Sequence, residues 1–188
     1  MKNPDLVLFV GPMFGGKTTK LLAALDRYHH QKRIIAAFKP NVDERYGASS
    51  INTHTGGRLA AKRVSNGLEI EEHVLNSSSS PDVVAVDEAF MIPGSGKSLL
   101  NLYKSGITVV VSTLQLASTG NSYDEIKEIM PWATKIEICP AVCTVCGSDA
   151  FFTTKTGGKP EDEIEVGGSE LYEPRCWSHF INLHESNI

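Results

Sequence analysis

The sequence predicts an α/β domain whose sheet is mostly parallel, and three observations carry that expectation. Short continuous apolar runs bounded by turn residues recur along the chain, as expected of strands buried on both faces. Stretches with apolar residues at helical spacing lie between them, the alternation that builds a parallel sheet covered on both sides. A length of 188 residues suits one domain of ordinary size with a small appendage.

The first run, LVLFV at residues 6–10, is a strand. After Gly16, KTTKLLAALDRYHHQ carries Leu21, Leu22, Ala24 and Leu25, so it is a helix. Further strands are expected at residues 33–38, 82–88, 107–113 and 134–139, with helical stretches near 98–104 and 123–129. The serine-rich NSSSSPD at residues 76–82 reads as a solvent loop. From Pro140 onward the periodic pattern fades, cysteines enter, and KTGGKPEDEIEVGGSE is rich in glycine and charge. The expected division is therefore 1–139 and 140–188, with no internal repeat.

Composition excludes some classes of function. With 18 basic and 22 acidic side chains the formal net charge is -4, so the basic excess that a nucleic-acid partner calls for is missing. The apolar run before the first glycine turn is too short for a signal-peptide core or a membrane span, so a cytoplasmic protein with no membrane partner is expected. In a reducing compartment its four cysteines are thiols or metal ligands.

Two stretches read as glycine loops ending in lysine and a hydroxyl. The first, Gly11-Pro12-Met13-Phe14-Gly15-Gly16-Lys17-Thr18, satisfies G-x-x-x-x-G-K-[ST] between a predicted strand and a predicted helix. In that setting backbone N–H groups curl around the phosphates of ATP, the helix N-terminus adds partial positive charge, Lys17 reaches the terminal phosphates and Thr18 offers its hydroxyl to magnesium. The second loop, IPGSGKSLL, has Met91 where the pattern needs a glycine. Gly94, Ser95 and Gly96 are expected instead to turn the chain into the next helix, with Lys97 and Ser98 in its first turn.

VVAVDEA places Asp87 and Glu88 at the end of an apolar strand, where a phosphate loop needs carboxylates. Adjacent strand residues point to opposite sides, so the two can do different work. Asp87 would orient magnesium through water, and Glu88 would take the proton of an acceptor hydroxyl.

Cys143-x-x-Cys146 and Cys176-x-x-His179 supply three sulfurs and one nitrogen, the set a structural zinc ion requires. The 29 residues between the halves make the metal a tie across a long excursion with little core of its own. A surface His179 beside a buried Cys176 is the other reading of CWSH. Cys139 has no partner at ligand spacing and is expected in the core.

Together these residues resemble the zinc-containing, tetrameric thymidine kinase family. The likeness runs through GPMFGGKTT, KPNVDERYG, THTGG, VDEA, CTVCG and YEPRC, nearly the whole chain. It implies an α/β P-loop nucleotide-binding domain with a small zinc-binding lasso subdomain, self-associated as a homotetramer or homodimer. It also implies transfer of the γ-phosphate of ATP to the 5'-hydroxyl of a pyrimidine deoxynucleoside. Within that resemblance the catalytic base falls on Glu88, Lys17 serves the phosphates, Arg45 helps manage phosphate charge, and Asp43 joins the nucleotide site. The loop closing over the base corresponds to residues 153–172. Met13, Thr153 and Tyr172 would line the base pocket, and the main chain from Glu163 through Glu165 to Gly167 would read the ring edge. Phe90, Leu114, Ser118 and Tyr123 complete the expected substrate set.

Departures from the family pattern concentrate in that pocket. The family follows its Asp-Glu pair with a small residue and glutamine, whereas this chain has Ala89 and Phe90. After the fourth strand the family has leucine-aspartate, then a phenylalanine that packs on the base, then proline-phenylalanine; here the run is Leu114-Gln115, Ser118 and Ser122-Tyr123. Losing one stacked ring costs on the order of 1 to 3 kcal/mol, so a pyrimidine deoxynucleoside is a firmer expectation than thymidine itself. Asp43 and Arg45 also read as a surface turn, and Tyr172 as a core aromatic with a wet hydroxyl. His29, His30 and His54 are assigned no chemistry. Two rivals share the motifs: a nucleic-acid-stimulated ATPase, and a non-catalytic ATP- and zinc-binding scaffold.

Overall fold

The structure, a computed structural model, describes residues 3–42, 50–52, 56–158 and 164–185. The expectations for Asp43, Arg45, His54 and Glu163 lie outside the described residues.

Strands β1 (Leu6–Val10), β2 (Ile35–Pro40), β5 (Lys62–Val64), β6 (Val83–Asp87), β7 (Thr108–Thr113) and β8 (Lys135–Ile138) form one sheet in the order β5-β2-β6-β7-β1-β8. Every neighbouring pair in it is parallel. A separate antiparallel pair, β3 (Ser50–Asn52) and β4 (Arg58–Ala60), comes between β2 and β5 in sequence.

Continuous apolar runs make the central strands because both faces are covered: β1, β6 and β7 are buried at every residue. Side-chain alternation sorts each strand between two cores. Leu6, Leu8, Val84, Val86, Val109 and Val111 pack against helices α2 (Gly67–Leu75), α3 (Ser95–Lys104) and α4 (Asp124–Ile129). Val7, Phe9, Val83, Ala85 and Val110 pack against Leu21 and Leu25 of α1 (Lys17–His30).

The strand and helix expectations hold with shifted bounds. β2 starts two residues later than read and runs on through Lys39 and Pro40. Gly94, in the left-handed region at φ 73°, caps α3, so the second glycine loop is the turn it was read as. α2 was not foreseen, although its start is written locally. The Asn66 side chain accepts from the Glu69 N–H at 3.1 Å while the Glu69 carboxylate accepts from the Ser65 N–H at 2.9 Å, a close variant of the capping box.

Past β8 the chain leaves the main sheet. β9 (Ala141–Val142) pairs with β10 (Asp149–Ala150), β11 (Phe152–Lys155) pairs with β12 (Tyr172–Arg175), and α5 (Trp177–Glu185) follows. Its apolar interior is slight: Ala141, Cys143 and Ala150 with Cys176 against them, and Phe152 stacked on Phe180 at 4.7 Å. No helix among the described residues is long and apolar enough to cross a membrane.

Candidate active site and metal centre

The chain leaves β1 at Val10 and turns through residues 11–16 into α1, with Gly11 at φ 151°, Phe14 at φ 65° and Gly16 at φ 72°. Two glycines are required by a neighbour rather than by the turn alone. A Cβ on Gly11 or Gly15 would press into the carbonyl oxygen of Cys139, whose N–H donates to Val10 at 2.7 Å. The end of β8 therefore backs the loop, and Cys139 lies in the core as expected. Burial pushes its thiol pKa up, which keeps it protonated and unreactive. Gly15→Ala is expected to displace the loop, costing about 1 to 3 kcal/mol of stability and most of the ATP affinity; calorimetric ATP titration beside a thermal melt checks this.

Lys17 is buried and its ammonium donates to the Pro12 carbonyl at 2.6 Å. The hydroxyl of Thr18, one residue on, donates to the carboxylate of Asp87, 3.1 and 3.3 Å from its two oxygens, and the Ser112 hydroxyl donates to the same carboxylate. Oxygen donors gathered at a helix N-terminus suit a hard divalent cation such as magnesium. Asp87 closes β6, but Glu88 is already in the left-handed region at φ 53° and leads into a tight turn over Ala89–Met91. The two carboxylates do diverge as expected; the means is a backbone reversal at Glu88 as much as strand alternation.

Glu88 opens onto a cavity whose other walls are Met13, Phe90, Met91, Leu114, Ser118, Tyr123, Thr153, Tyr172 and residues 164–167. Phe90 and Tyr123 form one wall as an aromatic pair, with ring centroids 4.7 Å apart. Thr153 accepts a hydrogen bond from the Met13 N–H at 3.0 Å, so the phosphate loop and the β11 strand share a wall. The Tyr172 hydroxyl is not wet: it donates to the Glu165 carbonyl at 2.8 Å. Lys155, on the same strand as Thr153, pairs with the Glu165 carboxylate at 2.8 Å. Both ends of the Glu165 residue are thus spent on holding the loop against β11 and β12.

The four nominated metal ligands also meet. One atom each from Cys143, Cys146, Cys176 and His179 lies within 4.8 Å of the others. Zn–S bonds of about 2.3 Å and Zn–N bonds of about 2.0 to 2.1 Å at tetrahedral angles place sulfurs about 3.8 Å apart and sulfur and nitrogen about 3.6 Å apart. The observed separations are 3.7 Å for Cys146 to Cys176 and 3.6 Å for Cys143 to His179 Nδ1, with Cys176 to His179 tighter at 3.2 Å. Burial opposes ionisation of Cys143, yet donors around it, led by Cys176 and Val145, outweigh that and pull its pKa down to about 6. A thiolate of that kind is what a metal needs. His179 stands in the first turn of α5 within this cluster, which favours the ligand reading over a surface histidine.

A family model described as thymidine kinase matches residues 4–180. The chain belongs to the thymidine kinase family. A thymidine kinase of Pyrobaculum aerophilum is 34% identical over 181 residues, covering 94% of this chain and 98% of its own. One from Thermococcus kodakarensis is 38% identical over 186 residues, covering 94% and 93%. Among solved structures, the genome packaging NTPase B204 of Sulfolobus turreted icosahedral virus 2, in complex with ATP-gammaS, overlays 77% of each chain at TM-score 0.48 and 16% identity.

In this thymidine kinase family member the residues nominated from the sequence that the structure describes fall into three places. Gly11, Pro12, Met13, Phe14, Gly15, Gly16, Lys17 and Thr18 make the loop, with Asp87 beside it. Met13, Glu88, Phe90, Leu114, Ser118, Tyr123, Thr153, Glu165, Gly167 and Tyr172 meet at the cavity. The cysteines and His179 make the cluster. Asp43, Arg45 and Glu163 are not among the described residues. Ile164 and Val166, within the nominated main-chain run of residues 163–167, line the cavity too, and so does Met91, which was not nominated. Met91 follows Phe90 at the end of the tight turn, a position that spacing alone did not mark.

Proposed function

We propose that this chain transfers the γ-phosphoryl group of ATP to the 5'-hydroxyl of thymidine, or of a closely related pyrimidine deoxynucleoside, giving the 5'-monophosphate. One observation carries the reading: residues from well-separated parts of the chain converge on a single cavity that shares Met13 with the phosphate loop and has Glu88 in its wall. The family likeness to thymidine kinases points the same way.

In this reading loop amides and Lys17 hold the phosphates, the Lys17 ammonium moving from the Pro12 carbonyl to a phosphate oxygen. Thr18 and Asp87 would hold magnesium, which when bound neutralises charge on the transferred phosphoryl. Glu88 accepts the proton of the 5'-hydroxyl, and Arg45 and Asp43 complete the nucleotide side. The aromatic pair Phe90 and Tyr123, with Met13, Leu114, Thr153 and Tyr172, encloses the base and excludes the water that would otherwise hydrolyse ATP. The cysteine–histidine cluster would hold structural zinc away from the reaction. Self-association as a homotetramer or homodimer, a cytoplasmic location and the division at residues 139 and 140 belong to the same reading.

A screen of thymidine, deoxyuridine, 5-substituted deoxyuridines and deoxycytidine with labelled ATP tests it. Transfer to at least one of them supports the proposal; ATP turnover stimulated by DNA with no nucleoside product overturns it. Ser118, which lines the cavity, should set its breadth. Ser118→Phe is expected to shift the kcat/KM ratio toward thymidine and away from bulky 5-substituted analogues by about fivefold or more, the equivalent of about 1 kcal/mol.

A further inference from the structure

The two halves of the metal cluster, residues 143–146 and 176–179, are joined by more than their own ligand atoms. β12 leads directly into the second half, and its burial alternates: Tyr172 and Pro174 are buried, while Glu173 and Arg175 are partly exposed. Alternation therefore gives the strand two faces. On one, Tyr172 lines the cavity. On the other, Glu173 and Arg175 reach across to the first half of the cluster at Thr144.

The Thr144 hydroxyl donates to the Glu173 carboxylate at 2.8 Å and accepts from the Arg175 guanidinium. The same guanidinium pairs with Glu173 at 2.6 Å and donates to the Pro174 carbonyl at 3.3 Å. That carbonyl also accepts from the Thr144 N–H, again at 3.3 Å. The Arg175 side chain is only 11% exposed, and a charge so placed needs partners of this kind.

Geometry gives this clamp a task. Within the first half the chain is closed locally: the Cys143 N–H donates to the Ser148 carbonyl at 2.8 Å, and the Gly147 N–H to the Cys143 carbonyl at 2.9 Å. Such bonds do not bring Cys143 and Cys146 to Cys176 and His179, which lie beyond 29 intervening residues. Closing a loop of that length costs entropy, and a metal that must close it is held less firmly than one offered ligands already gathered. Thr144 adjoins Cys143 and Arg175 adjoins Cys176, so the bond between their side chains sets one half against the other. The planar fork of Arg175 grips a hydroxyl and a carboxylate at once, which the single ammonium of a lysine does not reproduce.

We infer that Arg175 is a positioning residue for the metal centre: through Thr144 and Glu173 it holds the Cys143 and Cys146 half in register with Cys176 and His179. The inference rests on the reading of the cluster as a zinc site, and the release of zinc to a chromogenic chelator in excess tests the two separately. Thr144→Val, a change of near-equal volume at an exposed position, should speed release about 3- to 10-fold. Arg175→Met should speed it about 10- to 100-fold, and Arg175→Lys should recover little of that. Thr144→Ser keeps the hydroxyl and should stay within about twofold of wild type. Because both residues act through one clamp, adding Thr144→Val to Arg175→Met should change the rate by less than about twofold.

Wild-type release rates in Thr144→Val and Arg175→Met, or effects that multiply in the double variant, would overturn the inference. If Arg175→Met yields no folded protein, the two variants at Thr144 decide: slower release from the serine than from the valine supports the clamp, and equal rates count against it. Wild-type protein that retains no zinc would sink the metal reading and this inference with it. One zinc per chain with unaltered release in the variants would sink this inference alone.

Discussion

Glu88→Gln should lower kcat by about 10²- to 10⁴-fold, the range a positioned general base contributes, while thymidine and ATP bind within a fewfold of wild type. The amide has the size of the carboxylate, so the cavity wall that Glu88 contributes keeps its shape. What it lacks is an oxygen basic enough to take the 5'-hydroxyl proton. The backbone also argues for glutamine as the test. Glu88 sits at φ 53°, a conformation costing a non-glycine residue about 1 to 3 kcal/mol, and glutamine meets the same cost. The tight turn over Ala89–Met91, with the buried Ser95 hydroxyl donating to the Ala89 carbonyl at 2.9 Å, keeps that conformation in place. A melt within a few degrees of wild type, unchanged calorimetric binding and a collapsed single-turnover rate would together assign the base. If kcat stays within about threefold, proton removal is not part of the barrier and Glu88 has another task.

How far such a site can be read without coordinates depends on how local its determinants are. β1, the phosphate loop and α1 are contiguous, and a glycine-lysine-hydroxyl pattern between a short continuous apolar run and a period-3.6 run has few alternatives. The opposed directions of Asp87 and Glu88 also followed from local geometry, though the left-handed turn at Glu88 did not. Gly11 and Gly15 carried half their meaning elsewhere. They are needed because the Cys139 carbonyl abuts them, and nothing near residue 11 announces residue 139. The cavity lining was nominated through family resemblance rather than spacing, and that route missed Met91. α2 is the contrary case: Asn66 and Glu69 form a helix start that local sequence does contain.

Removing the zinc proposed for the cysteine–histidine cluster should abolish nucleoside use before it harms the sheet. The cluster joins the turn between β9 and β10 to the start of α5, and β11 and β12 are strung between those anchor points. Without metal the interior left to hold them is small, Ala141, Cys143 and Ala150 with a stacked Phe152 and Phe180. A structural zinc site in a small unit is worth about 10 to 16 kcal/mol, far more than those contacts supply at about 25 cal/mol per Å² of buried apolar area. Once β11 loosens, Thr153 no longer receives the Met13 N–H, Lys155 no longer anchors Glu165, and the cavity loses a wall. Cys146→Ala is therefore expected to lose zinc and to raise the thymidine KM at least tenfold. Hydrogen exchange should speed up in β11 and β12 while β1, β6 and β7 stay protected, because their core is shared with α1 to α4 and not with the cluster. Cys139→Ala is the matched control, a buried thiol outside the cluster whose loss should leave zinc stoichiometry at one per chain. Stoichiometric zinc in Cys146→Ala, or an unchanged KM in protein shown to be metal-free, would mean that the loop is held by protein contacts alone.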